Sequence, residues 1–301
     1  MAVLPDGGPI LVTGGNGQLA TSLARFGGAR IHRVGRPDFD FDRPETIETT
    51  FRAVKPAAVI NAAAWTAVDL AETEQDGAAR ANTDGPRRLA ELCAEAGIPL
   101  IHVSTDYVFD GDKRAPYVET DPTCPTGVYG RTKAEGEQAV LAANPQTVVL
   151  RTAWVYSASG KNFVRTMLGA GAKNPTLKVV GDQIGSPTSS DDLAEAILSI
   201  LSTIETGGWK PDYAGLYHAT GSGETSWHGL AVAALERAAE HGQAMPEVLA
   251  IRTEDWPTPA RRPADSRLDC GKLHRVFGVR LPDWRASVSR TVDELMGRSA
   301  R

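Results

Sequence analysis

Short, nearly continuous apolar runs recur through the first half of the chain. They are separated by stretches whose apolar residues return every three or four positions. "ILV" (10–12), "RIHRV" (30–34), "AAVIN" (57–61), "PLIHVS" (99–104) and "TVVLR" (147–151) read as strands. Their β-branched, unalternating character fits a sheet covered on both faces. Between them, residues 18–26 carry Leu19, Leu23 and Phe26 on one helical face. Residues 42–54 form a second helix, with Asp42 as N-cap, Pro44 near the start and Glu45 three residues on. A third spans 78–96, with Leu89, Leu92, Cys93 and Ala96 at helical spacing and Gly97 as its stop; a fourth spans 129–143. This alternation predicts right-handed crossovers and an α/β fold, a Rossmann-type doubly wound parallel sheet.

The second half is less regular. Residues 176–180 and 215–220 read as strands, and 191–203, 227–241 and 285–296 as helices, with a proline- and arginine-rich stretch at 256–269. No internal repeat or low-complexity linker divides the chain. The expected division is a sheet domain over 1–150 and a smaller mixed lobe over 151–301. That boundary is soft, because later helices can return to the sheet layer.

Composition narrows the partners. The chain has 301 residues, 42% of them apolar, and a net charge of −5 with both signs interspersed. That is enough to bury a core. No Lys/Arg run points to nucleic acid. Cys93, Cys124 and Cys270 are odd in number and far apart, which argues against a disulfide framework and a zinc site. No apolar run approaches the ~18 residues of a membrane span, and the first residues lack a leader pattern. A reducing cytoplasm is expected.

"ILVTGGNGQLA" (10–20) is a strand, a glycine turn and a helix start. Gly14 and Gly17 let the backbone approach a pyrophosphate, Ala20 allows close helix–strand packing, and the helix start presents unpaired N–H groups to the anion. The 1–150 part is therefore expected to bind a dinucleotide, and the later lobe its substrate. Gly35 and Arg36 stand where NAD-binding folds carry an acidic residue. Arginine pairs with a 2′-phosphate as a planar fork, which favours NADPH, with NADH as the second option. Asp40 lies where it can reach the adenine side. "NAAAW" (61–65) ends the third strand with three alanines suited to a flat ligand. The expected cofactor set is Gly14, Asn16, Gly17, Gln18, Leu19, Arg36, Asp40, Phe41, Ala62, Ala63 and Ala64, together with Tyr129 and Lys133.

The fourth strand runs into "STDYVFDG" (104–111), at the carboxyl edge of the sheet. Tyr129 and Lys133 follow on the fourth helix, one turn apart on one face. A phenol with pKa about 10 is a poor acid–base group at neutral pH. An adjacent ammonium is expected to lower that value. Thr105 would then bond a substrate carbonyl oxygen while Tyr129 supplies the proton.

Gly-x-x-Gly-x-x-Ala, Asn-Ala-Ala-Ala, Ser-Thr-Asp and Tyr-x-x-x-Lys together resemble the extended short-chain dehydrogenase/reductase superfamily. "NAAAWTAVDLAE", "HVSTDYVFDG", "VYGRTKAEGEQAV", "LRTAWVY", "NFVRTML", "DQIGSPT", "GLYHAT" and "PTPARRPADSRL" resemble, more narrowly, the dTDP-4-dehydrorhamnose reductase family over about residues 10–285. The resemblance implies reduction of dTDP-4-dehydro-β-L-rhamnose to dTDP-β-L-rhamnose with NADPH or NADH. It makes Tyr129 the proton donor, Lys133 its electrostatic partner, and Thr105 and Asp106 contacts of the sugar near C4. Trp154 and Val68 would line the sugar pocket, and Arg261 or Arg262 would hold the diphosphate, with Arg262 taken as the choice. Asn162 and Gln183 are weaker assignments. Trp65 departs from the histidine common in the family. Some members associate with magnesium between subunits; here Thr21 and Ser22 stand where an acid would be needed, and Asp191 and Asp192 read as helix N-terminal acids. No metal site is expected, and the protein is expected to be a monomer or homodimer. Two other readings stay open: a sugar-nucleotide epimerase or dehydratase on the same scaffold, and a non-catalytic dinucleotide-binding regulator.

Overall fold

The five apolar runs of the first half become five strands of one parallel sheet in the computed structural model, which describes residues 7–299. The leader reading rests partly on residues 1–6, which lie outside that range. The strands are β1 (Ile10–Val12), β2 (Ile31–Arg33), β3 (Ala58–Asn61), β4 (Leu100–Thr105) and β5 (Thr147–Thr152). Later in the chain come β6 (Thr176–Val180), β7 (Gly215–His218) and β8 (Glu247–Ile251). β7 joins the sheet beside β5, giving the order β7-β5-β4-β3-β1-β2 with every neighbour parallel. The order reverses between β1 and β3, which opens a crevice at their carboxyl ends.

The helices are α1 (Gln18–Gly27), α2 (Pro44–Val54), α3 (Gly85–Ala96), α4 (Val128–Ala143), α5 (Phe163–Gly171), α6 (Ser190–Gly207), α7 (Trp227–Glu240), α8 (Gly271–Phe277) and α9 (Trp284–Ser299). Strand periodicity sorts side chains onto two faces. Ile10, Val12, Ile60 and Leu150 pack with Leu23 of α1, Leu193 and Ile197 of α6, and Leu273 of α8. Leu11, Val59, Leu100 and Val149 pack with Ile47 of α2, Leu89 of α3 and Val140 of α4. A separate core joins Val164 and Leu168 of α5, Leu230 and Leu235 of α7, and Trp284, Val288 and Val292 of α9. α6, β7 and α8 thus belong spatially to the sheet, although they lie far beyond residue 150.

Two local expectations are corrected. Asp42 is not the N-cap of α2: that helix starts at Pro44 after Arg43, with no side-chain cap, and Asp42 Oδ1 instead accepts from Arg80 Nε at 2.7 Å. Residues 78–96 are not one α-helix. A short helix (Gln75–Ala79) passes through a π turn (Arg80–Asp84) before α3 begins. Pro86 has no N–H to continue the i→i−4 ladder. The wide turn lets Asn82 reach out of the helix, accepting from Trp65 N (2.8 Å) and donating to Thr132 Oγ1 (3.0 Å). No helix among the described residues is long and apolar enough to cross a membrane.

Candidate active site

The glycine turn after β1 lies at the crevice. Gly14 and Gly15 have φ of +103° and +54°, where a side chain is strained. A Cβ on Gly14 would stand 2.9 Å from the Ala62 carbonyl oxygen. Gly15 N donates to Val34 O at 2.8 Å, and a Cβ on Gly35 would stand 2.6 Å from the Gly15 Cα. Gly15 is absent from the expected cofactor set, and Gly35, noted above only for its place after β2, turns out to pack against it. Gly17 is the N-cap of α1, with ordinary φ, no capping side chain and no acid in the first turn. The helix start therefore keeps its N–H groups and positive dipole end for an anion. This cradle fits a dinucleotide pyrophosphate.

The other residues of the expected cofactor set divide. Asn16 is exposed at the lip of the turn and Leu19 turns into the core. Gln18 Oε1 accepts from Ser157 Oγ at 2.9 Å, tying the turn to the segment after β5. Ala62, Ala63 and Ala64 are partly exposed beside Gly14, and Ala63 N donates to Thr13 Oγ1 at 3.1 Å. Arg36 is exposed. Asp40 serves its own turn: Oδ1 accepts from Asp42 N at 3.1 Å, and Oδ2 lies 3.7 Å from Arg43. Phe41 is buried, and its ring fills the space where a Cβ on Gly85 would be.

Thr105 ends β4, and Tyr129 and Lys133 sit in the first two turns of α4. Gly130 makes that docking close: a Cβ there would stand 2.1 Å from the Tyr107 carbonyl oxygen. The Tyr129 phenol lies near enough to Thr105 for that hydroxyl to act on its acidity. Thr105 Oγ1 also donates to Asp106 Oδ1 at 2.9 Å and accepts from Tyr107 N at 3.2 Å. The Tyr107 ring meets Tyr129 edge-on at 5.4 Å.

Tyr129 is partly exposed as a residue, yet burial around its hydroxyl pushes the phenol above its ordinary value. Thr105 opposes this shift, while Asp106 and Tyr107 add to it. The expected lowering by Lys133 is therefore reversed in the protein alone. Withdrawing water from the phenolate outweighs the contribution of Thr105. Lys133 is itself buried, with Nζ donating to Val103 O at 2.7 Å. Burial lowers its pKa to about 8, against an opposing pull from Glu137. Asp106 is raised to about 6, again by burial first.

The residues expected at the substrate come from both halves of the chain. Trp154 adopts φ +49° and stacks on Trp227 with ring centroids 3.6 Å apart. Trp227 Nε1 donates to Gln183 Oε1 at 3.1 Å, and Gln183 Nε2 to Thr253 Oγ1 at 3.1 Å. Val68 opens a short helix (Val68–Ala71) from whose first turn Asp69 reaches Arg262. Arg262 Nη2 donates to Asp69 Oδ2 at 2.8 Å, and its guanidinium lies 5.9 Å from the Tyr107 ring centre. Arg261 faces solvent and pairs with Asp112 at 3.3 Å, so Arg262 is the arginine nearer the reactive residues. Asn162 caps α5 through Arg165 N at 3.1 Å. Trp65 packs over Gly77 in the small cluster that includes Tyr129. Tyr107, Asp69 and Trp227 were missed in the sequence reading, although "STDYVF" contains the first.

Asp191 and Asp192 lie in the first turn of α6, and Asp191 Oδ1 accepts from Ser22 Oγ at 2.5 Å. Among the described residues no group of three or more His, Cys, Asp or Glu side chains is placed to hold a metal ion.

A switch-point glycine cradle next to a Thr–Tyr–Lys constellation defines a nicotinamide-dinucleotide oxidoreductase of the extended short-chain dehydrogenase/reductase class. Comparison with known proteins narrows this. A family model described as the RmlD substrate binding domain matches residues 8–296, and the chain belongs to that family, the dTDP-4-dehydrorhamnose reductases. A dTDP-4-dehydrorhamnose reductase of Sinorhizobium fredii is 45% identical over 289 residues, covering 95% of this chain and 97% of that one. The crystal structure of a dTDP-4-dehydrorhamnose reductase of Clostridium acetobutylicum superposes with a TM-score of 0.86 at 37% identity, covering 95% of this chain and 99% of that one. The Bacillus anthracis enzyme of the same name, solved in complex with NADP, gives a TM-score of 0.87 at 31% identity, with 95% of this chain and 99% of that one covered.

Proposed function

We propose that the protein reduces the C4 ketone of dTDP-4-dehydro-β-L-rhamnose to the alcohol of dTDP-β-L-rhamnose, with NADPH preferred over NADH. The observation that carries this reading is the meeting of Thr105, Tyr129 and buried Lys133 at the sheet edge beside the Gly14–Gly17 cradle. The names of the relatives and the NADP bound to one of them support it.

The cradle and the uncapped start of α1 would hold the pyrophosphate, with Ala62, Ala63 and Ala64 along the crevice. Exposed Arg36 is assigned to the 2′-phosphate. When bound, the reduced dinucleotide supplies the hydride. The chain's own residues handle the proton and the substrate. Thr105 Oγ1 donates to the ketone oxygen in place of its bond to Asp106. Tyr129 holds its proton firmly until charge develops on that oxygen, and then transfers it. The upward shift of the phenol suits this direction, because a donor must be protonated in the resting enzyme. Lys133 as an ammonium stabilises the phenolate left behind. Trp154 and Val68 are assigned to the sugar, and Arg262 to the diphosphate, for which guanidinium is a bidentate partner.

The test is incubation with the ketosugar nucleotide and each reduced cofactor, following loss of the reduced nicotinamide absorbance. Stoichiometric consumption, faster with NADPH, is expected. Folded protein that binds the cofactor and consumes none would end the proposal.

A further inference from the structure

Behind the reactive pair, the α4 face against the sheet buries two charged groups that the scheme above does not use, Glu137 and Arg151. Lys133 and Glu137 are one helical turn apart, 2% and 3% exposed, on the face of α4 that meets the sheet. Glu137 takes a bidentate pair from Arg151 of β5, Nε to Oε1 at 2.8 Å and Nη2 to Oε2 at 2.6 Å. Ser104 Oγ adds a third bond, to Oε1 at 2.5 Å. Arg151 is the register partner of Ser104, is 1% exposed, and lies 4.9 Å from the Phe109 ring centre.

One buried layer therefore holds two formal cations, Lys133 and Arg151, and one anion. His102 faces the same layer from β4. Its Nδ1 meets Asn61 Nδ2 at 2.9 Å, its Nε2 has no partner, and burial and the nearby Lys133 hold it neutral. Asp106 and Tyr107 approach from the turn after β4, and Tyr129 from α4 itself. Arg151 does not release its proton in proteins, whereas a buried lysine readily does. With little water to screen it, the Glu137 charge acts across one turn.

We propose that Glu137, fixed in place by Arg151 and Ser104, is a positioning residue that keeps Lys133 an ammonium in its buried seat. The function of that ammonium rests on the ketoreductase reading; its charge state does not. Burial pulls Lys133 down to about 8 while Glu137 pulls it up. Removing the carboxylate takes away the group that opposes burial at Lys133, and the lysine yields its proton more readily.

The test uses two variants. In Glu137→Gln, the alkaline limb of the kcat/KM profile moves down by about one pH unit or more. In Arg151→Met, which leaves the buried Glu137 carboxylate without its bidentate partner and so favours its protonated form, the limb moves down as well; the double variant goes no lower than Glu137→Gln. A merely structural role lowers rates without moving the limb. The ¹³Cε resonance of Lys133, assigned with Lys133→Met, is titrated in parallel and needs no turnover. Lower-pH titration in Glu137→Gln supports the inference even if wild type reduces no ketosugar, which would count against the function alone. A Lys133 titration that coincides in wild type and Glu137→Gln overturns it. Should Arg151→Met not fold, that last comparison decides by itself.

Discussion

Asp106 carries a carboxyl group into a site that is 2% exposed, and burial raises it from 3.8 to about 6. An acid whose pKa rises on folding binds its proton more tightly in the native state. Its contribution is most favourable below the unfolded value and is lost as pH rises through the folded one. Asp106→Asn, which keeps an acceptor for Thr105, should therefore stabilise the protein by up to ~3 kcal/mol above neutral pH and by little below the unfolded carboxyl value. Urea unfolding at those two pH values checks this; an equal difference at both would contradict it. Tyr129→Phe removes the proton and little volume, so kcat should fall by ~10²–10⁴. A fluorescence titration should show cofactor binding unchanged. That Tyr129 and Lys133 share a helix starting near the end of β4 was legible, because one helical turn sets their spacing and Thr105 ends the strand. The direction of the Tyr129 shift was not, because it depends on how closely Gly130 lets α4 approach Tyr107.

On the proposed reading, cofactor binding depends most sharply on the glycine turn between β1 and α1. Gly14→Ala would place a methyl group against the fixed Ala62 carbonyl at positive φ. The expected result is a loss of ~1–3 kcal/mol in stability and at least a tenfold weaker dinucleotide Kd, read by thermal melting and titration. A variant with wild-type Kd would show that the turn does not meet the cofactor. The strands of the first half could be read because each is covered on both faces, so its apolar run is unbroken. β8 was missed because "EVLAI" sits in a half-exposed two-stranded ribbon with β6, where burial no longer marks every residue. The break at 80–84 was missed because Leu89, Leu92 and Cys93 keep helical spacing after it; Pro86 carried the contrary signal. The Asp42 assignment failed because a good capping residue one position too early found Arg80 instead.

At the scale of the whole molecule, the chain crosses back and forth between its two parts. α6, β7 and α8 complete the sheet, while the 256–269 stretch returns to the reactive residues through Arg262. That arginine joins Asp69, 193 positions away, and Tyr107, 155 away, a closeness that no local pattern could announce. Arg262→Met should raise KM for the sugar nucleotide about tenfold or more, with the cofactor Kd unchanged. If Asp69→Asn produced the same change in KM, Arg262 would be anchoring its loop rather than holding a diphosphate. Direct hydride transfer to C4 of the sugar is tested most directly with NADPH deuterated at the transferable position of nicotinamide. Product formed by the wild-type protein should carry one deuterium at C4 of the sugar for each cofactor oxidised. Product without deuterium, or label retained on the cofactor, would contradict the account and point instead to chemistry that returns the hydride.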